Sequence, residues 1–240
     1  MRSFAATVAN LHWMVFRRLP NPTFFISCAD DEQAKDAHLL DGYYPEEGIF
    51  IERVKQPVLN EPPFNLCRHS PYAPTPNNQS VVQSILRQMW HYRRVWDFHC
   101  EKAPTAGFDT YVRCRPDLFF HRFDMPAFVR PNEFIGPWKA TCGGVNDRFS
   151  VMGQIAAMAY FNSFSEFERM MDAGCPLHPE SIQEAAMGAI GTRISNTLLA
   201  EFTVMRLSGR DNVPLVEYPG EMARFIEQTL VRRAENPGLW

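Results

Sequence analysis

The stretch Tyr111-Val112-Arg113-Cys114-Arg115-Pro116-Asp117 sets two cations two residues apart and follows them with a proline and an anion. Guanidinium forks match phosphate oxygens in shape and charge, so Arg113 and Arg115 suit a diphosphate. A lone carboxylate such as Asp117 can hold a divalent cation that bridges phosphates. Together these residue types describe a diphosphate-gripping site. The competing reading is an ion-pair cluster in which Asp117 and Asp109 neutralise the two arginines.

Two further patches carry chemistry. In Thr141-Cys142-Gly143-Gly144-Val145-Asn146-Asp147-Arg148-Phe149, the glycine pair permits close approach to the main chain, and Asn146 and Asp147 can bond hydroxyl groups. A hairpin turn whose polar residues cap it accounts for the same segment equally well. In Pro176-Leu177-His178-Pro179-Glu180, Pro179 suits the first turn of a helix. There Glu180 serves either the helix dipole or, with Asp147 as the other candidate, a general base that deprotonates an acceptor hydroxyl.

These groups need elements to position them. Tyr111 to Cys114 alternate, which places Tyr111, Arg113 and Arg115 on one side and Val112 and Cys114 on the other. Pro116 cannot donate to a ladder, so pairing stops there and Asp117 falls at the carboxyl end of a strand, where open α/β sheets bind ligands. Phe4, Val8, Leu11, Val15 and Leu19 recur at helical spacing, predicting a helix over residues 3–18 that stops before Pro20. A turn, a buried strand and an acidic exit follow in residues 21–32. Residues 45–78 are rich in proline and read as a surface excursion poor in regular structure, with Ile49, Phe50, Ile51, Phe64 and Leu66 available for packing. From Gln79 a long helix presents Val81, Ile85, Met89, Tyr92 and Trp96 on one face. Helices are expected over 154–172 and from Pro179 to Ile190, a strand over 201–207, and a charged surface helix in the tail from Gly220. Cys114 reads as core. His91 and His99, eight apart, lack a third ligand. The order indicates one α/β domain over residues 1–240, its central mixed sheet flanked by helices.

The bulk composition excludes several classes. With 240 residues, 45% of them hydrophobic, the chain can build a full core. A net charge of −3 gives no global field for nucleic acid. Six cysteines without a Cys-x-x-Cys pair argue against a zinc ribbon, and thiols in the cytoplasm are expected. No stretch reaches the length of a transmembrane segment.

The three patches, in this order, resemble glycosyltransferase-like proteins of the GT-A fold from bacterial and viral polysaccharide synthesis (WavE-like, with a nucleotide-sugar transferase domain). The matching residues are Phe108 to Asp117, Gly143 to Phe149, and His178-Pro179-Glu180. The resemblance implies a nucleotide-sugar donor, a glycan or other hydroxyl acceptor, and a divalent cation, Mn or Mg, at Asp117. It implies that Arg113, Arg115 and Asp117 meet the donor diphosphate, that Gly143, Gly144, Asn146 and Arg148 face the sugar, and that Asp147 or Glu180 is the base. Arg2-Ser3-Phe4 matches the end of a nucleotide-cradling loop, so Arg2 joins the donor set and the sheet is expected to lack its first strand. One aspartate stands where similar proteins carry Asp-x-Asp. Two alternatives follow: a non-catalytic relative that binds glycan, and a metal-dependent phosphoester hydrolase.

Overall fold

The computed structural model describes residues 4–30, 32–59, 79–103, 107–138, 144–197, 199–207 and 214–216. Arg2, Gly143, the proline-rich residues beyond 59, Phe64 and Leu66 among them, and the tail helix expected after Gly220 lie outside them. The architecture is α/β, with mixed sheets flanked by helices.

Helix α1 (Phe4–Met14) buries Phe4, Val8 and Leu11 and gives way to a 3₁₀ turn at Phe16–Arg18. Leu19, preceding Pro20, is forced to extended backbone. Strand β1 (Phe24–Ala29) follows, then a run of 3₁₀ turns over Glu32–Gly42. The expectation of an irregular excursion fails at its start. Ile49–Val54 forms strand β2, paired in parallel with β1 from Phe24↔Ile49 to Ala29↔Val54. Its apolar run is short and flanked by prolines, and its partner lies far back in the chain.

Helix α2 (Gln79–Lys102) turns Val82, Leu86, Met89 and Tyr92 inward, a face rotated slightly from the expected one at its start. Strand β3 (Tyr111–Cys114) ends before Pro116 as its composition requires. Strands β4 (Leu118–Phe123), β5 (Glu133–Pro137) and β6 (Phe149–Met152) come next. The helix expected over 154–172 is broken: α3 (Gln154–Asn162) and α4 (Phe167–Asp172) are joined by a 3₁₀ turn. Helix α5 (Pro179–Ala189) opens on its proline, and β7 (Arg193–Thr197), β8 (Ala200–Leu207) and β9 (Pro214–Val216) complete the described chain.

The sheets run β1-β2, β3-β6-β5-β7 and β4-β8-β9. Antiparallel pairing sets Val112 opposite Val151 and Arg113 opposite Ser150. Directly opposed residues share a face. Val112, Cys114, Phe149 and Val151 therefore join the core around α1, while Tyr111 and Met152 join the core under α2 and α3. Arg113 is carried to that second face, small Ser150 across from it.

Helix α1 also closes one edge of β4. The Asn10 side chain accepts from the Phe120 amide at 2.6 Å and donates to the Phe120 carbonyl at 2.9 Å, a side-chain substitute for a neighbouring strand. Removing it strands two main-chain groups at a residue that is itself fully buried. Asn10→Ala is expected to lower the urea-unfolding free energy by about 2–4 kcal/mol, from roughly 1–3 per orphaned group. A loss below about 0.5 kcal/mol, the range of neutral surface changes, would show that water serves that edge as well.

Candidate active site

The turn after β3 is fixed from three sides. The Arg115 amide donates to the Arg148 carbonyl at 3.0 Å, and the Met205 amide of β8 donates to the Asp117 carbonyl at 2.7 Å. The Thr7 hydroxyl of α1 donates to the Pro116 carbonyl. Within this frame Arg115 grips Asp117 as a fork, Nε to Oδ1 at 2.9 Å and Nη2 to Oδ2 at 2.6 Å. The pair is partly open to solvent, with side chains 25% and 17% exposed. For these two residues the ion-pair reading holds. Asp109 lies at the other end of β3 and is exposed, away from this pair.

Arg113 is placed differently. Its guanidinium carbon lies 5.0 Å from the centre of the Tyr92 ring, and its Nη2 reaches the Tyr92 hydroxyl at 3.5 Å, the long limit of a hydrogen bond. Its Nε is buried without a hydrogen-bond partner among the described residues. Burial opposes the cation, while the hydrogen bond to the Tyr92 oxygen and the charge of the Asp147 carboxylate favour it, and Arg113 keeps its proton.

Asp147 is the centre of this cluster. Only 5% exposed, it takes a hydrogen bond from Gln88 to Oδ2 at 2.5 Å. Gln88 also donates to the Tyr92 hydroxyl at 2.6 Å, and that hydroxyl donates to the Asp147 carbonyl at 3.3 Å. Glu180, 6% exposed in the first turn of α5, sits with Oε2 2.9 Å from His178 Nδ1. Burial raises the Glu180 carboxyl above its ordinary range; His178 works against the rise and Asp147 adds to it. Burial likewise pushes the Tyr92 and Tyr160 phenols up, so both stay protonated.

Gly144 explains how the segment before Asp147 lies against the first turn of α5. A Cβ there would strike the Glu180 carbonyl and the Ser181 amide, and the Val145 amide donates to the Glu180 carbonyl at 3.2 Å. Asn146 serves its own turn: Oδ1 accepts from the Arg148 and Phe149 amides at 2.9 and 3.0 Å. Of the expected residues, Arg113, Arg115, Asp117, Asp147 and Glu180 form one electrostatic network. Gly144, Asn146 and Arg148 shape its main chain.

No protein-family model, curated protein or solved structure matches the chain. What these residues can do is set by their own geometry. Among the described residues no group of three or more His, Cys, Asp or Glu side chains could hold a metal ion. Asp117, the expected cation ligand, gives both oxygens to Arg115, so the residues present do not form a cation site as they stand. Cys114 is no nucleophile: burial pushes its thiol up to about 12. Gln88, Tyr92 and Tyr160 were not expected here, and His178, though part of the third patch, had no role assigned to it. The spacing of Gln88 and Tyr92, one helical turn apart, was the available sign, hidden within an aromatic packing stripe.

Because Glu180 is raised in the folded state, its contribution to stability is complete below the ordinary value of 4.5 and is lost as pH rises through the raised value. Glu180→Gln should therefore gain in stability relative to the parent as pH rises from about 4.5 towards neutrality. Paired urea titrations at stepped pH read this difference. A difference constant across that window would place the Glu180 carboxyl in ordinary surroundings.

Proposed function

We propose that the chain is a glycosyltransferase of GT-A type, moving a sugar from a nucleotide-sugar donor to a hydroxyl acceptor. The observation that carries this reading is that two buried carboxylates, Asp147 and Glu180, lie near enough to act on one another through charge, as Asp147 does on the Arg113 cation. The order of the three sequence patches supports it as well.

In this reaction the acceptor oxygen attacks the anomeric carbon, the bond from that carbon to the diphosphate oxygen breaks, and the acceptor proton passes to a base. Glu180 suits the base: a raised carboxyl accepts a proton near neutral pH more readily than an ordinary one. Asp147 is committed to Gln88 and balances Arg113, so its role is positioning. Arg115, at the partly exposed rim, meets the departing diphosphate by exchanging its Asp117 partner for phosphate oxygens, and Arg113 supplies fixed positive charge behind it. The chain's own guanidinium groups supply this charge.

The closed Arg115–Asp117 fork favours one second reading, a non-catalytic relative that binds glycan without turnover. Thermal shift and product release with UDP-, GDP- and CMP-sugars, with and without Mn²⁺, separate the two. One donor is expected to raise the melting temperature. Glu180→Gln should keep donor binding and cut product release by about 10²–10⁴-fold, the worth of a general base. Absence of nucleotide binding supports the second reading, and release of phosphate from simple esters would point to a hydrolase.

A further inference from the structure

A buried base that has taken up a proton needs a way to lose it. The Glu180 side chain is 8% exposed, whereas that of His178 is 14% exposed and sets Nδ1 2.9 Å from Glu180 Oε2. The other groups within reach of the Glu180 charge are less suited to carry a proton out. Asp147 is buried, and its Oδ2 accepts from Gln88. Tyr160 of α3 is fully buried, its hydroxyl has no hydrogen-bond partner, and burial holds the phenol protonated. Tyr92 of α2 turns its hydroxyl to the Asp147 carbonyl. Glu184, one turn further along α5, is exposed, as are Glu166, Glu168, Arg169 and Asp172 of the segments packed against that helix.

His178 stands immediately before the first turn of α5, yet its side chain does not cap the helix. The main chain is held on both sides. The His178 amide donates to the Pro176 carbonyl at 2.8 Å, and the Ile182 amide donates to the His178 carbonyl at 3.0 Å. The ring is not held in this way. Nδ1 lies at ion-pair distance from Glu180, but a ring N–H does not align on the oxygen, so no hydrogen bond locks the two together. An imidazole can take a proton at one nitrogen and release it from the other. Here it stands between a buried carboxyl and the surface.

We propose that His178 is the route by which Glu180 exchanges its proton with solvent. Its use in turnover rests on the transferase reading above, in which the acceptor proton arrives on Glu180. That proton passes from Oε2 to His178 Nδ1, leaving a carboxylate beside an imidazolium, and a proton then leaves Nε2 for water. Exchange with water returns the neutral ring to the tautomer with Nδ1 open. The Glu180 carboxylate is then free for the next acceptor hydroxyl. His178 touches no reacting atom in these steps; it is a positioning residue that acts through Glu180.

The exchange is read at Glu180 itself, by carbon NMR of the side-chain carboxyl in glutamate-labelled protein, with Glu180→Gln showing which line is lost. The test variant is His178→Asn, because asparagine is favoured at a helix start and keeps α5 in place. At the midpoint of the Glu180 titration the parent should give one averaged line. In His178→Asn proton exchange should slow about 10²-fold, the low end of what a positioned proton carrier contributes, and the line should broaden or split. Free imidazole in the buffer should restore it. The variant also lacks the group that opposes the rise at Glu180, so the midpoint should move up. Exchange as fast as in the parent would overturn the proposal, and so would slowing that imidazole leaves untouched. In turnover, His178→Asn should release the first equivalent of product at the parent rate and later ones about 10²-fold more slowly. Equal loss in both phases would overturn the resetting role. A parent that releases no product from any donor removes the transferase reading, and the carboxyl exchange still decides the route.

Discussion

A guanidinium group carried inward on a short strand is the constraint around which this chain is arranged. Removing a cation from water costs several kcal/mol even after relaxation, so a fold that buries one must surround it with compensating groups. Arg113 meets the Tyr92 ring face and hydroxyl, and the Asp147 carboxylate acts on it through charge. Those partners come from two places, α2 and the segment leading into β6. Their positions are thereby coupled. Gln88 holds both Tyr92 and Asp147, so the rotation of α2 is tied to the 144–148 segment. That segment lies against the first turn of α5 because Gly144 has no side chain, which brings Glu180 within reach of Asp147. One buried charge thus places a second carboxylate and raises its proton affinity.

The strand that carries Arg113 was legible from its alternation and from Pro116. The face on which Arg113 sits was also legible, because period two fixes it. The start of α5 followed from Pro179. What the residues did not reveal was the partner of each charge. Arg115 and Asp117 close on one another because they project from a turn pinned by Thr7, Arg148 and Met205, three residues far apart in sequence. Asn146 looked like a ligand for hydroxyl groups, yet its carbonyl oxygen satisfies two amides of its own turn. Strand β2 was hidden for a different reason: a parallel partner is never adjacent in sequence, and the surrounding prolines masked a three-residue apolar run. Asn10, which interrupts an amphipathic helix, has its explanation only in the edge of β4.

The sheet places two different chemistries at the two ends of β3. At the carboxyl end are charged side chains held by hydrogen bonds. At the amino end is a cavity of about 860 Å³ lined by the first residues of β1 and β3 and the segments that lead into them. The helix α2 spans both, with Gln88 and Tyr92 near the charges and Trp96 and His99 beside the cavity.

The central claim is that Arg113 and Asp147 are energetically one unit. A double-mutant cycle with Arg113→Met and Asp147→Asn, read by urea unfolding at neutral pH, measures it. The expected coupling is above about 0.5 kcal/mol, the pair of changes costing less than the sum of the two singles. Additivity within about 0.5 kcal/mol would mean that the two residues do not support one another and that the arrangement described around them has another cause.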